Sequence, residues 1–467
     1  MPLRQVWATG GVVVPLALSH PDHELEYVLS DARVKVVLAT EEYADRLQPL
    51  AEAAGAQLVV VRWDAEAATA ASAAAGSEGS EGVLGDWRRT VEAAAARLGE
   101  DRGALVIYTS GTTGRPKGAV HTHGSVAAQV AALSEAWRWS DKDRILHCLP
   151  MHHVHGIVNA CYCALGAGAT IDFLPKFSPS AIWSRLIAGH EGTAPEVTLF
   201  MGVPTMYVRL LQAYDGYDAD KQGRCAAAAR SLRMAVSGSA ACPVPLFERW
   251  EAVTGARLLE RYGMTEIGMA LSNPYEGERR SGAVGMALPG MEVILVDPAT
   301  GKDCAPGQEG EIRVKGRNLF REYLGRPEAT RESFDERGFF KTGDAAVVEN
   351  GYFRILGRES VDIIKSGGYK LSALEIEGEL LNHPDIVEIA ICGVEDEVYG
   401  QVVGAVVALK EGAAPMDAEA LRQWAKPFLA PYKLPRLLRL VDKIPRNAMS
   451  KVNKKTLVKI FDASADA

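Results

Sequence analysis

Tyr108-Thr-Ser-Gly-Thr-Thr-Gly-Arg-Pro-Lys-Gly118 follows the apolar run "ALVIY" and packs four Ser/Thr hydroxyls, three glycines and one lysine into eleven residues. Gly111, Gly114 and Gly118 let backbone amides come close to a ligand. Thr109, Ser110, Thr112 and Thr113 add hydroxyl donors, and Lys117 adds a point charge. At the end of a buried strand, such a set is an anion cradle sized for a polyphosphate. The P-loop pattern needs Lys directly after Gly and before Ser or Thr. Here Arg115 and Pro116 separate Gly114 from Lys117, and Gly118 follows, so that reading fails on spacing.

Working outward, short β-branched runs ("VKVVLA", "QLVVV", "ALVIY", "VTLFM") alternate with Ala-rich stretches that carry apolar residues at helical spacing, as at Val126, Val130, Leu133 and Trp137. This pattern predicts βαβ units around a mostly parallel sheet, an α/β fold. The stretch "DAEAATAASAAAGSEGSEG" has little to bury and reads as a surface insertion or mobile loop. After "EGEIRVKGRNLFREYLG" the texture turns to short strands and turns, a β-rich subdomain ending near Gly357. From Arg358 onward, strand, helix and strand follow one another in a small α+β unit. The expected division is therefore 1–357 and 358–467.

The 467 residues carry a net charge of −8 and 48% apolar content, a balance that argues against nucleic-acid binding. The basic run "KVNKKTLVK" reads as a solvated helix face. Seven dispersed cysteines without CxxC spacing point to reduced thiols, in the cytoplasm or the mitochondrial matrix. No apolar run reaches the length of a transmembrane segment, and the start shows no secretory or other targeting pattern.

Four more segments follow the cradle in order: "ERYGMTE" (Glu260 to Glu266), "KTGD" (Lys341 to Asp344), "GRESVDIIKSGGYKLSALEIE" (from Gly357) and "PRNAMSK" (Pro445 to Lys451). With it they resemble the adenylate-forming superfamily, which includes acyl-CoA synthetases, firefly luciferase and the adenylation domains of peptide synthetases. "LPMHHVHGIVNA", "VSGSAACPVP" and "ERYGMTEIGMA" look most like malonyl-CoA synthetases, including the mitochondrial acyl-CoA synthetase family member 3 type. The resemblance implies a ligase of fatty-acid metabolism that uses ATP, Mg²⁺ and coenzyme A. A carboxylate attacks the α-phosphate of ATP, and the CoA thiol then displaces AMP.

Carried over position by position, the resemblance implies that Thr109, Ser110, Gly111, Thr112, Thr113, Gly114 and Lys117 hold the β- and γ-phosphates. Tyr262 lies against adenine, with Gly238, Ser239 and Ala240 along its other side. Thr265 meets the α-phosphate, Glu266 meets Mg²⁺, Asp344 accepts the ribose hydroxyls, and Arg358 binds ribose or phosphate. Lys451 bridges the attacking carboxylate and the α-phosphate, and His153 sits beside the acyl carboxylate and thiol tunnel. A mobile C-terminal domain pivots between Arg358 and Asp362, presenting Lys451 for the first step and Gly367 and Gly368 to pantetheine for the second.

For the second carboxylate of a malonate-type acid, a buried charge needs a partner. Arg280 is the expected one, with Arg279 and His155 as further contacts. His152, His153 and His155 lack a carboxylate or cysteine at metal-ligand spacing. Methylmalonate and other short- or medium-chain acids stay open as substrates. Two departures stand out: Ser450 replaces the glycine usual before the lysine, and the family-like region begins near Gly10, which implies a shortened N-terminus. A non-catalytic nucleotide-binding fragment is the rival reading.

Overall fold

Strands buried along their whole length form the centre of the molecule, as runs such as "VTLFM" require of a sheet covered on both faces. The computed structural model describes residues 6–62, 99–109, 115–358, 360–367, 369–446 and 452–462. The low-complexity stretch, Ser110, Gly111, Thr112, Thr113, Gly114, Gly368, Ser450 and Lys451 lie outside them.

A seven-stranded sheet carries five parallel strands in the order β6 (Thr170–Phe173), β5 (Arg144–His147), β7 (Leu199–Gly202), β8 (Met234–Ser237) and β9 (Leu259–Met264). Antiparallel β10 (Gly268–Ser272) and β11 (Met286–Ala287) complete it. Every residue of β7 and β8 is buried. One core against this sheet includes Trp183, Tyr207 and Trp250, with the two indoles stacked at 6.3 Å. A second, larger core joins the sheet to α3 (His123–Ala136) and to the π-helical turn His155–Tyr162.

The expected βαβ pattern holds for β5 to β9 and for two more of the quoted runs, and fails for a third. "VKVVLA" and "QLVVV" supply β1 (Val36–Ala39) and β2 (Gln57–Val60), a parallel pair packed with α1 (Asp22–Asp31) and connected through α2 (Glu41–Ala53), which among the described residues pairs with no other strand. "ALVIY" lies in β3 (Gly103–Thr109), which pairs antiparallel with β4 (Lys117–Thr122). The phosphate cradle therefore spans the two strands of a hairpin, and α3 begins only after β4, where Thr122 and Ser125 form a reciprocal capping box.

A four-stranded antiparallel sheet follows: β12 (Met291–Val296), β13 (Gly310–Gly316), β15 (Phe340–Glu349) and β16 (Tyr352–Arg358), while β14 (Glu322–Tyr323) returns to β4. Beyond it, β17 (Ile363–Ser366), β18 (Tyr369–Ser372), β19 (Ile386–Asp396), β20 (Gly400–Leu409) and β21 (Leu437–Leu440) make a separate five-stranded sheet. Its own cores, from Ile364 to Phe461, include no residue of the preceding sheets. A cleft of about 490 Å³ separates the two parts, lined by Glu311, Gly343 and Asp344 on one side and by Ile363, Tyr369 and Ser372 on the other.

Candidate active site

The hairpin register places Thr109 opposite Lys117 at the base of the cradle. The Lys117 ammonium lies 4.2 Å from the centre of the Tyr323 ring, and the Tyr323 hydroxyl donates to Glu266 Oε1 at 2.8 Å. Glu266 is buried, and its carbonyl accepts from the Phe320 amide. Beside it, His121 Nε2 bonds the Thr265 carbonyl at 2.7 Å. Burial pulls the His121 pKa to about 4, so the ring is neutral and this nitrogen carries the hydrogen that the carbonyl accepts. Cation, carboxylate and threonine are thus gathered by residues from four segments.

Helix α1 braces both flanks of the cradle. The Tyr108 hydroxyl donates to Asp31 Oδ2 at 2.8 Å, Arg326 pairs with Asp31 Oδ1 at 2.9 Å, and the Tyr27 hydroxyl donates to the Pro116 carbonyl at 2.8 Å.

A second group gathers around Asp344, whose strand β15 pairs with β16 so that Asp344 faces Arg358. The Tyr262 hydroxyl donates to Asp344 Oδ2 at 2.6 Å, and Arg358 Nε donates to Oδ1 at 2.8 Å. Burial and the Asp344 charge hold the Tyr262 phenol well above its ordinary pKa, so it stays a donor. Gly343 has φ 72°, a backbone state that strains any side-chain-bearing residue and turns the chain so that Asp344 enters the site. A carboxylate has about four acceptor sites, so Asp344 retains capacity for further hydroxyls.

The third group brings His155, Gly238 and Ser239 together with one residue that sequence reasoning passed over, Arg261. Arg261 is buried at 3% exposure, its Nε has no hydrogen-bond partner, and its Nη2 makes a long bond of 3.5 Å to Ser239 Oγ. Ser239 Oγ also meets His155 Nδ1 at 3.2 Å, and His155 Nε2 is buried without a partner. Burial first, then the Arg261 charge, holds His155 well below its ordinary pKa and neutral. The segment is shaped for the guanidinium: a Cβ on Gly238 would lie 2.5 Å from Arg261 Cζ, and Ser239 sits at φ 68°, rare for serine. A buried guanidinium and a neutral imidazole, each with an unused nitrogen, have the chemistry to receive a carboxylate. Ala240 follows, exposed, and His153 lies with its ring 4.2 Å from that of His152.

Arg279 and Arg280, expected at the second carboxylate, are engaged elsewhere in this structure. Arg279 donates to the carbonyls of Arg257, Pro274 and Tyr275, and Arg257 precedes the N-terminal end of β9. Arg280 pairs with Glu278 at 2.9 Å and lies over the Tyr352 ring. Both side chains are spent at the opposite end of β9 from Thr265, while Arg261, inside the same quoted motif, holds the buried position. Gly367, at φ 54°, turns the chain between β17 and β18 and is held by the Tyr399 carbonyl at 2.9 Å. The described contacts do not join it to the other three groups.

The AMP-binding enzyme family pattern matches residues 6–324, and that of the AMP-binding enzyme C-terminal domain matches residues 375–451. The chain belongs to the AMP-binding enzyme family. Among its relatives is a malonate–CoA ligase of Arabidopsis thaliana, 46% identical over 470 residues, which cover 98% of this chain and 75% of the relative. The mouse mitochondrial malonate–CoA ligase ACSF3 is 46% identical over 474 residues, 97% of this chain and 78% of that protein. The chain thus spans about three quarters of their length. Among solved structures, ATP-bound MatB from Rhodopseudomonas palustris superposes with a TM-score of 0.80 at 35% identity, covering 97% of this chain and 84% of MatB. A malonyl-CoA ligase in a ternary product complex with methylmalonyl-CoA and AMP gives 0.63 at 37% identity, covering 95% and 87%.

Proposed function

We propose that this chain ligates malonate to coenzyme A at the expense of ATP, releasing AMP and pyrophosphate. One malonate carboxylate oxygen attacks the α-phosphorus and pyrophosphate leaves; the CoA sulfur then attacks the acyl carbon, and AMP leaves with the electron pair of the broken C–O bond. The observation that carries the malonate reading is the buried pair of unused donors on Arg261 and His155, which match the carboxylate that does not react. A simple fatty acid would leave both unpaired beside a methyl group.

The remaining roles follow from charge and position. Lys117 and the cradle hydroxyls hold the outer phosphates, Thr265 meets the α-phosphate, and Tyr262, Asp344 and Arg358 take the nucleoside, with Gly238, Ser239 and Ala240 along its edge. Lys451 delivers an ammonium to the reacting phosphorus, where charge grows in a water-poor site. Glu266 fits Mg²⁺, since one oxygen is held by Tyr323 and the other is left for a hard cation. Mg²⁺ would supply neutralisation of phosphate charge there; among the described residues no group of three His, Cys, Asp or Glu gathers. His153 and Gly367 with Gly368 border the path of the thiol.

The separate cores support a boundary at Arg358, with residues 358–467 acting as a lid that pivots between Arg358 and Asp362. Among the described residues no helix is long and apolar enough to cross a membrane. None of the seven cysteines is in a disulfide, which agrees with the reducing compartment expected from their spacing, the cytoplasm or the mitochondrial matrix. AMP release with CoA and ATP, measured across malonate, methylmalonate, succinate and acetate, tests the reading. Malonate is expected to lead, and a higher kcat/KM for acetate would overturn it.

A further inference from the structure

The C-terminal run "KVNKKTLVK" looks like a solvated basic face, but one of its lysines is not solvated. Lys454 opens the helix Lys454–Asp462, where a cation opposes the helix dipole, and its side chain is only 10% exposed. Two carboxylates offset both costs: Lys454 Nζ lies 2.7 Å from Asp362 Oδ1 and 2.7 Å from Glu377 Oε1. Burial works against its charge, yet the two acids outweigh it and hold the pKa above the ordinary lysine value.

Each acid is tied further. Glu377 Oε1 also accepts from the Ile391 amide at 2.7 Å, which fixes it to β19. The other Asp362 oxygen accepts from the Arg358 amide at 3.0 Å, and the Asp362 amide donates to the Arg358 carbonyl at 2.7 Å. This turn is tight enough that a Cβ on Gly357 would lie 2.4 Å from Asp362 Cβ. Arg358 in turn grips Asp344. A chain of ion pairs, joined at the pivot by hydrogen bonds of the Arg358 main chain, thus runs from Lys454 to the nucleoside end of the site. On the other side, the chain before and after residues 447–451 is closed by an antiparallel bridge between Arg446 and Val452, and Arg446 pairs with Glu388 at 2.7 Å.

We propose that Lys454 is a positioning residue for the adenylation half-reaction: its ammonium, shared by Asp362 and Glu377, ties the chain that follows Lys451 to the pivot. The proposal rests on the two-step reading above. It separates the two steps, because Gly367 is held by Tyr399 on a turn that has no described contact with Lys454.

The experiment compares the full-length wild type with Lys454→Gln and Lys454→Arg. Malonate-dependent ATP–pyrophosphate exchange reads the first step, and thioester formation from supplied malonyl-adenylate and CoA reads the second. Hydrogen exchange of the amides of residues 446–453 reads the clamp without any turnover. Lys454→Gln is expected to lower exchange about 100-fold, the scale of a reacting group displaced by about 1 Å, while thioester formation stays within about threefold. Amide exchange over 446–453 quickens, and Lys454→Arg restores pyrophosphate exchange to within about fivefold. Equal loss of both half-reactions, unchanged pyrophosphate exchange, or unchanged amide protection would overturn the proposal. If the wild type exchanges pyrophosphate with none of the acids, the functional reading fails, and the amide measurement still decides whether Lys454 holds the segment.

Discussion

Replacing Arg261 by methionine tests the receptor for the second carboxylate with an almost isosteric apolar chain. The guanidinium is buried, its Nε has no partner, and its one described hydrogen bond, to Ser239, is long at 3.5 Å. A malonate carboxylate brought there loses its water and gains this charge. Removing one partner of such a buried pair costs about 3–5 kcal/mol, or roughly 150- to 5000-fold in kcat/KM at ~1.36 kcal/mol per factor of ten. Acetate and butyrate carry no second carboxylate, so their kcat/KM is expected to rise, and the KM for ATP to move less than about threefold. Stability should not suffer: burial already pulls the Arg261 pKa to about 9, only partly offset by Glu260, so the native protein loses an ill-matched charge. AMP release under malonate, acetate or butyrate, with thermal unfolding as control, measures all of this. A folded variant that retains malonate kcat/KM to within about fivefold would refute the receptor.

Glu260 offers a test by pH. Burial raises its pKa to about 8, so the native protein keeps a proton that the unfolded chain, near 4.5, releases, and stability falls as pH rises between these values. His121, His147 and His152, pulled to about 4 by burial, act in the opposite sense, and because an unfolded imidazole is still half-protonated at its ordinary pKa they offset part of the loss just above it. Between about pH 6.5 and 8 the wild type should therefore lose ~2 kcal/mol more than Glu260→Gln by denaturant unfolding; an equal slope rejects the assignment. Asp31→Asn removes the ion pair with Arg326 and weakens the acceptor for Tyr108, so the KM for ATP should rise about three- to tenfold with the KM for malonate unmoved. An unchanged KM for ATP would show that α1 does not set the cradle. Tyr323→Phe frees the Glu266 oxygen it now holds, and the Mg²⁺ concentration for half-maximal activity should shift about tenfold; no shift in a titration at saturating ATP would separate Tyr323 from the metal.

The family was legible because the glycine, hydroxyl and lysine content of its motifs is a local property, and the β-rich subdomain because strand alternation is local too. Strand direction is not. "ALVIY" and "VTLFM" are alike in composition, yet one pairs antiparallel in a hairpin and the other sits in the parallel sheet, since pairing depends on segments far along the chain. His155 was expected near the second carboxylate, but Arg261 escaped for the same reason: it acquires meaning only beside Gly238, Ser239 and His155, on separate elements. Arg280 drew attention as an arginine close in sequence to the motif, but closeness in sequence says nothing about which end of β9 a side chain serves. Lys454 shows the converse error, a lysine in a basic run that the fold buries between two acids.

These contacts bear on how one chain could carry out two reactions. The cores on either side of Arg358 share no residues, so a rigid rotation of the C-terminal sheet need not disturb either. Under the proposed pivot, Arg358 stays with Asp344 on one side and Asp362 stays with Lys454 on the other. What must give includes the two bonds joining Arg358 to Asp362, one backbone–backbone and one to a side-chain oxygen, and the bond from the Ser372 hydroxyl to the Leu356 carbonyl. Each is worth about 1 kcal/mol net where water can replace it, a cost that binding of nucleotide or CoA can readily outweigh. Strong ionic contacts on both flanks and weak bonds between them are what a hinge of a few residues requires. A site built this way can keep its grip on the nucleotide while the groups presented by the lid change.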